Sequence, residues 1–286
     1  MKKPLAGVRV LDLTHMLSGP YGAMILADLG AETIKVEPLH GEGTRKLLAT
    51  DPDNSLDGMG AYFITLNRNK QSVAIDLKSN QGREQFYRLV EQSDIVISNF
   101  GAGVPERLGI DFQSLSEVNP RIITCTVTGF GSDGPSCKRP AFDQVAQATG
   151  GGMSITGADP ENPVRAGIPI GDLGGGMFGV MGVLAARYER EPSGTGQRVV
   201  MSMLDCQISL LNYMATMHFL SGQDPYPIGN SHFVHVPYNT FRCSDGFIVI
   251  AVITDNFWQN LKEVVCCPEF DDPELDGQPG RWAARD

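Results

Sequence analysis

The strongest constraint on the fold lies at the start of the chain. Residues 8–14 form an apolar, strand-like run, and Gly19-Pro20 then opens a helix through Leu26. Pro20 suits a first helical turn and Ser18 is placed to cap it. Gly30 stops the helix, and residues 31–37 read as a second strand. Strand, helix and strand in so short a span predict a right-handed βαβ unit with parallel strands. Glu37, at the end of the second strand, stands where a ribose-binding acid would sit. The glycine fingerprint GxGxxG is missing after the first strand, however, which argues against a dinucleotide.

The alternation continues. Residues 72–77 and 95–97 read as strands, separated by an amphipathic helix that carries Phe86, Leu89 and Val90 on one face. Asn99-Phe100-Gly101 lies just past a strand end, where open α/β sheets bind ligands. Two short helices, near 104–108 and 112–118, precede a strand at 122–127, and the loop 129–140 carries the cations Lys138 and Arg139. Residues 141–148 look helical and end in Gly150-Gly151-Gly152. A strand at 198–202 leads into an apolar helix rich in methionine, predicted over 203–220. Residues 222–237, rich in Pro, Gly, Asn and His, read as a linker. A hairpin around Asp245-Gly246 and a helix over 256–265 follow. The expected fold class is α/β: a Rossmann-like large domain through residue 205, a linker over 206–237, and a smaller α+β domain over 238–286. The polar tail from Pro268 supplies no closing element to that small domain.

Charge narrows the partners. A net charge of -10 disfavours nucleic acid or an anionic membrane as the main partner, yet leaves room for a small phosphate-bearing ligand on a local cluster of cations. The six cysteines show no CxxC pair and no metal-type spacing with histidine, so they read as reduced thiols of a cytoplasmic protein with no metal site. No secretory segment is read at residues 1–4, and no apolar run reaches membrane-spanning length.

The chemistry is expected at Gly171-Asp172-Leu173-Gly174-Gly175-Gly176, where a short extended run meets a buried helix read from Gly174 to Glu189. Asp172 has two readings here. It can cap the helix, the commoner role, or it can act as a carboxylate nucleophile kept ionised by the helix end. Three glycines each cost a helix about 1 kcal/mol, and their usual use is to let a ligand or backbone come close. Their amides, with those of the earlier Gly-rich break, are candidate oxyanion donors.

Longer stretches bring a family likeness. Residues 3–15, 29–37 and 69–78 resemble the class III CoA-transferases, as do Asn99-Phe100, Arg107-Leu108-Gly109, residues 129–135 and residues 142–148. The resemblance implies that Asp172 is the nucleophile, passing through an aspartyl anhydride and an aspartyl-CoA thioester. It implies CoA contacts at Met16, Ser18, Ile75, Lys78, Asn99, Phe100 and Arg107, with Lys78 and Arg107 on its phosphates. Lys138 and Arg139 join that set, and His15, Leu17, Phe142 and Asp143 fall on the substrate side. The implied partners are an acyl-CoA and a carboxylic acid, with CoA thioester as substrate and no tightly bound cofactor. Two chains are expected to interlock as a homodimer. Leu17 replaces a family glutamine, and no glycine-only loop surrounds Gly229-Asn230-Ser231-His232, which argues against oxalate and formyl-CoA. The family's chains are usually longer, so a non-catalytic CoA-binding subunit is one alternative. The same fold also hosts α-methylacyl-CoA racemases, which carry a histidine where this chain has Phe142. His15 is then the nearest second acid–base group, and transfer is favoured over racemisation.

Overall fold

The structure, a computed structural model, describes residues 3–285. It divides into two compact units, one of residues up to 152 together with 165–216, the other of residues 153–164 together with 217 onward.

In the first unit the chain runs β1 (Arg9–Asp12), α1 (Ser18–Asp28), β2 (Glu32–Glu37), a short ribbon of β3 (Ser55–Leu56) and β4 (Met59–Gly60), and α2 (Ala61–Leu66). Next come β5 (Lys70–Ala74), α3 (Asn80–Val90), β6 (Ile95–Ser98), α4 (Val104–Leu108), α5 (Phe112–Val118) and β7 (Ile123–Thr128). After α6 (Asp143–Thr149) and the long α7 (Ile170–Ser193) come β8 (Arg198–Ser202), α8 (Met203–Leu211) and α9 (Tyr213–Ser221), within which the unit ends. Six strands pair in parallel in the order β5-β2-β1-β6-β7-β8. This is the parallel α/β sheet read from the sequence.

Neighbouring residues on a strand face opposite sides. Val10, Ile95 and Ile123 pack with Ala23, Leu26, Val180 and Val183, from α1 and α7, on one face. Leu11, Val96 and Ile122 pack with Phe86, Val90 and Leu115, from α3 and α5, on the other. Helices on both faces explain why the strands read as continuous apolar runs rather than alternating ones. Leu11 of β1 pairs with Ile34 of β2 and with Val96 of β6, so the strand order reverses direction between β1 and β6. Such a switch point opens a crevice at the strands' C-terminal ends.

Several local expectations differ. Ser18 is the first residue of α1, not its cap; Leu17 precedes it and supplies no side-chain bond. The long helix begins at Ile170, four residues before Gly174, so its first turn includes Asp172. The helix predicted over 203–220 breaks at Asn212, whose φ is 51°, giving α8 and α9. Residues 206–216, expected as linker, group with the first unit because Cys206 and Gln207 of α8 are buried, while residues 153–164 group with the second. Glu37 is not available to a ribose. Its carboxylate takes Arg45 at 2.6 Å, the Ser72 hydroxyl at 2.6 Å and the Glu42 amide at 2.8 Å. Those donors overcome the cost of burial and hold it at about 2.

The second unit pairs β9 (Tyr238–Cys243) and β10 (Gly246–Ala251) as an antiparallel hairpin, as the Asp245-Gly246 signal predicts. It continues through α10 (Asp255–Val265) to α11 (Gln278–Ala283). The tail packs back onto this unit. Arg281, 3% exposed, donates to the carbonyls of Val236 (2.9 Å), Leu275 (2.9 Å) and Asp276 (3.0 Å) and to the Asp255 carboxylate (2.9 Å). Its guanidinium also stands 5.3 Å from the Trp258 ring centre. Among the described residues no helix is long and apolar enough to cross a membrane.

Candidate active site

A cavity of about 670 Å³ opens at the switch point. His15, Met16, Leu17 and Ser18 line it from the turn after β1, and Asn99 and Phe100 from the turn after β6. Asn99 ties the two turns together, accepting from the His15 amide at 2.9 Å and donating to the His15 carbonyl at 2.7 Å. The His15 ring lies 5.6 Å from that of Phe100, and burial keeps its pKa below the usual histidine value. Met16 holds a left-handed φ of 63°, rare for a side chain with Cβ, and its amide donates to the buried Glu42 carboxylate at 3.3 Å.

Beneath this turn lies a buried ionic cluster. Lys35 donates to the Thr14 carbonyl at 2.8 Å, and Lys70 to the Pro20 carbonyl at 2.9 Å and to Asp12 at 2.8 Å. Asp12 in turn accepts from the Thr14 amide at 2.9 Å. Both ends of the turn are thereby fastened to the sheet, which presents His15 to Ser18 on a rigid base.

Asp172 is the third residue of α7 and lines the same cavity. The helix takes no side-chain cap from Pro169, the residue before it. Asp143 does that work from α6: one carboxylate oxygen accepts from the Gly171 amide at 2.9 Å and the Asp172 amide at 3.2 Å. The other oxygen accepts from Gln147 Nε2 at 2.8 Å. The capping role thus belongs to Asp143 and not to Asp172. No hydrogen bond to the Asp172 carboxyl is found among the described residues. Burial, and then the Asp143 carboxylate, push that carboxyl up to about 7. Tyr62, on α2, lines the cavity as well. Burial and the nearby charges of Asp172, Glu42 and Asp143 push its phenol up to about 12, so it stays a hydrogen-bond donor.

Of the two expected uses of the glycines, the close approach of backbone is the one seen. A Cβ on Gly171 would stand 2.9 Å from the Asp143 carbonyl, and one on Gly175 2.7 Å from Ser18 Oγ and 3.1 Å from Met203. A Cβ on Gly176 would stand 2.6 Å from the Ser18 carbonyl. They bring α7 against α6, α1 and α8, and do not leave space for a ligand. Gly174, Gly175 and Gly176 lie inside the helix, where amides bond to the preceding turn, so they are not oxyanion donors. The earlier break packs against α8, since a Cβ on Gly150 would stand 2.5 Å from that of Gln207, and it does not line the cavity.

Of the residues expected at the site, Asp172, Asp143, Phe142, Lys138, Arg139, Asn99, Phe100, His15, Met16, Leu17 and Ser18 share this cavity. Arg139 also stacks over the Phe130 ring at 5.1 Å. Ile75, Lys78 and Arg107 are not in its lining. Ile75 belongs to the core under the sheet and spends its amide on the Glu37 carbonyl at 2.8 Å. Lys78 and Arg107 are exposed. Sequence reading missed Tyr62 and Arg165. Tyr62 follows a polar loop, and Arg165 sits in a stretch read as extended that is in fact irregular coil, so neither belongs to a periodic pattern.

Residues 5–286 match the CoA-transferase family III, and the chain belongs to that family. It is 39% identical to the succinyl-CoA:mesaconate CoA-transferase of Haloarcula hispanica, over 93% of this chain and 68% of that protein. It is 38% identical to the acetyl-CoA:oxalate CoA-transferase of Acetobacter aceti, over 100% of this chain and 73% of that protein. A solved CAIB/BAIF family protein from Brucella suis is 35% identical and superposes with a TM-score of 0.89, covering 100% of this chain and 76% of that one.

Proposed function

We propose that this chain moves CoA from an acyl-CoA to a free carboxylic acid through covalent intermediates on Asp172. The observation that carries this is the placement of Asp172: on the first turn of α7, in the switch-point cavity, with its capping duty taken over by Asp143. The Asp172 carboxylate attacks the thioester carbonyl and expels CoA thiolate, leaving a mixed anhydride. The thiolate attacks the aspartyl carbonyl of that anhydride, releasing the first acid and forming an aspartyl-CoA thioester. The incoming carboxylate displaces CoA thiolate again, giving a second anhydride. Attack of the thiolate on its acyl carbonyl yields the new acyl-CoA and regenerates Asp172. One difficult exchange becomes four additions to activated carbonyls.

A carboxyl titrating near 7 is the better nucleophile once ionised, because basicity and nucleophilicity rise together, and it is substantially ionised at neutral pH. Tyr62 is the donor suited to a developing oxyanion, since its phenol keeps its proton. Lys138 and Arg139 fit the CoA phosphates, with Met16, Ser18, Asn99 and Phe100 forming the wall beside them. Lys78 and Arg107 lie outside the lining, so the resemblance alone assigns them to the CoA phosphates. Phe142 cannot carry a proton, so the histidine that racemases carry at this position is missing, and racemisation would have to draw on His15 of the same cavity. The named acids of the relatives, mesaconate and oxalate, make dicarboxylic acids the first to assay.

The test is to mix acyl-CoA with the protein and trap with hydroxylamine. An adduct on Asp172, absent in Asp172→Ala, supports the reading. Deuterium uptake at the acyl α-carbon without an adduct, or CoA binding without exchange to any acid, overturns it. The same reading makes the chain a homodimer. It is supported by apolar side chains left in solvent on the second unit, Phe247 at 74% and Val249 at 68% exposure on β10, and light scattering tests it.

A further inference from the structure

The charge around the cavity is uneven. Its lining holds two carboxyls, Asp143 and Asp172, and three basic side chains, Lys138, Arg139 and Arg165. The proposed CoA site uses Lys138 and Arg139. Arg165 is left over. Its Nη1 donates only to nearby carbonyls of its own turn, Ala166 at 3.2 Å and Gly167 at 3.4 Å, and no carboxylate pairs with it among the described residues. The rest of its donor fork is exposed.

The position of Arg165 is nevertheless built. The next amide, that of Ala166, donates at 2.8 Å to Oε1 of Gln147, a side chain only 1% exposed. The other end of Gln147 donates at 2.8 Å to Asp143, whose far oxygen holds the amides of Gly171 and Asp172. One buried side chain therefore fixes both the base of the arginine and the carboxylate that seats the nucleophile. This chain of bonds ties the backbone beside the arginine to the backbone of the nucleophile.

We propose, building on the transfer reading above, that Arg165 binds the distal carboxylate of a dicarboxylic acid whose near carboxylate reacts at Asp172. The second charge of such an acid would be repelled by Asp143 and Asp172 unless a cation met it, whereas a monocarboxylic acid of equal length brings no such charge. A guanidinium meets a carboxylate through two parallel bonds, so it reads orientation as well as charge.

The experiment compares succinate with butyrate as acceptors, using acetyl-CoA as a donor without a second carboxylate. The readout is the ratio of their kcat/KM values, which does not depend on how much of each preparation is folded. Wild type should prefer succinate. Arg165→Gln should cut that preference by roughly 10- to 150-fold, the value of hydrogen bonds to a charged group, and mainly through KM for the acid. Arg165→Lys should recover part of it, since it keeps the charge and loses the fork. A ratio unmoved by Arg165→Gln, or a wild type that prefers butyrate, overturns the assignment. So does a rise confined to KM for the acyl-CoA, which would place Arg165 on the nucleotide. If neither acid is used and no adduct forms on Asp172, the transfer reading itself has failed, and the subsite falls with it.

Discussion

Replacing Asp172 by asparagine should abolish transfer and, at alkaline pH, stabilise the fold. The carboxyl titrates at about 7 in the folded protein against 3.8 for an unperturbed aspartate. Between those values the folded state keeps a proton that the unfolded state has released, so stability is complete below 3.8 and is lost as the pH rises through 7. At about 1.36 kcal/mol for each pH unit, that gap is worth roughly 4 kcal/mol. Water reaching a carboxyl that is not wholly buried lowers the figure to about 2–3 kcal/mol. Asparagine keeps the shape of the side chain and cannot ionise. Urea unfolding of both proteins at about pH 4 and about pH 8.5 reads the effect directly. The titrating groups that do not face Asp172 are common to the two proteins and cancel in the difference. That difference should be small in acid and favour Asp172→Asn by about 2–3 kcal/mol in base. A difference independent of pH, or one that increasingly favours wild type as the pH rises, would refute the argument.

Two further substitutions probe how the nucleophile is held. Asp143→Ala removes the cap from Gly171 and Asp172 and should cost about 0.5–2 kcal/mol in denaturant unfolding. By removing a neighbouring negative charge it should also move the pH profile of hydroxylamine trapping toward acid, and a shift toward base would contradict the assigned electrostatics. Gly176→Ala places a methyl 2.6 Å from the Ser18 carbonyl, an overpacking cost of roughly 1–3 kcal/mol that should outweigh the ~1 kcal/mol gained in helix propensity. A thermal midpoint equal to or above that of wild type would show that α1 and α7 can separate at little cost.

Much of this protein is legible in local patterns. Strands buried on both faces read as apolar runs, and Gly30 and Pro20 punctuate the first helix, so the parallel α/β sheet and its crossover follow from residues close in the chain. The aspartate at the head of a long apolar helix, and Asn99 and Phe100 past a strand end, are local signals of the same kind. Pairings between distant residues have no such signal. Asp143 reaches across to cap α7, and only that contact separates the capping role from the nucleophile at Asp172. The run of glycines reads the same whether a ligand or a helix fills the space; Ser18, Met203 and Leu210 around Gly174, Gly175 and Gly176 decide for helices. Glu37 at a strand end fits a ribose until Arg45 and Ser72 occupy it. Arg281 looks like one charge in a polar tail until its bonds to Val236 and Asp255 tie that tail to the second unit. Tyr62 and Arg165 lie in stretches without periodicity, and the folding of α2 and of the turn before α7 brings them to the cavity. Backbone patterns and helix punctuation are set by neighbours a few residues apart, whereas side-chain partners and charge environments depend on which distant segments the sheet order brings together.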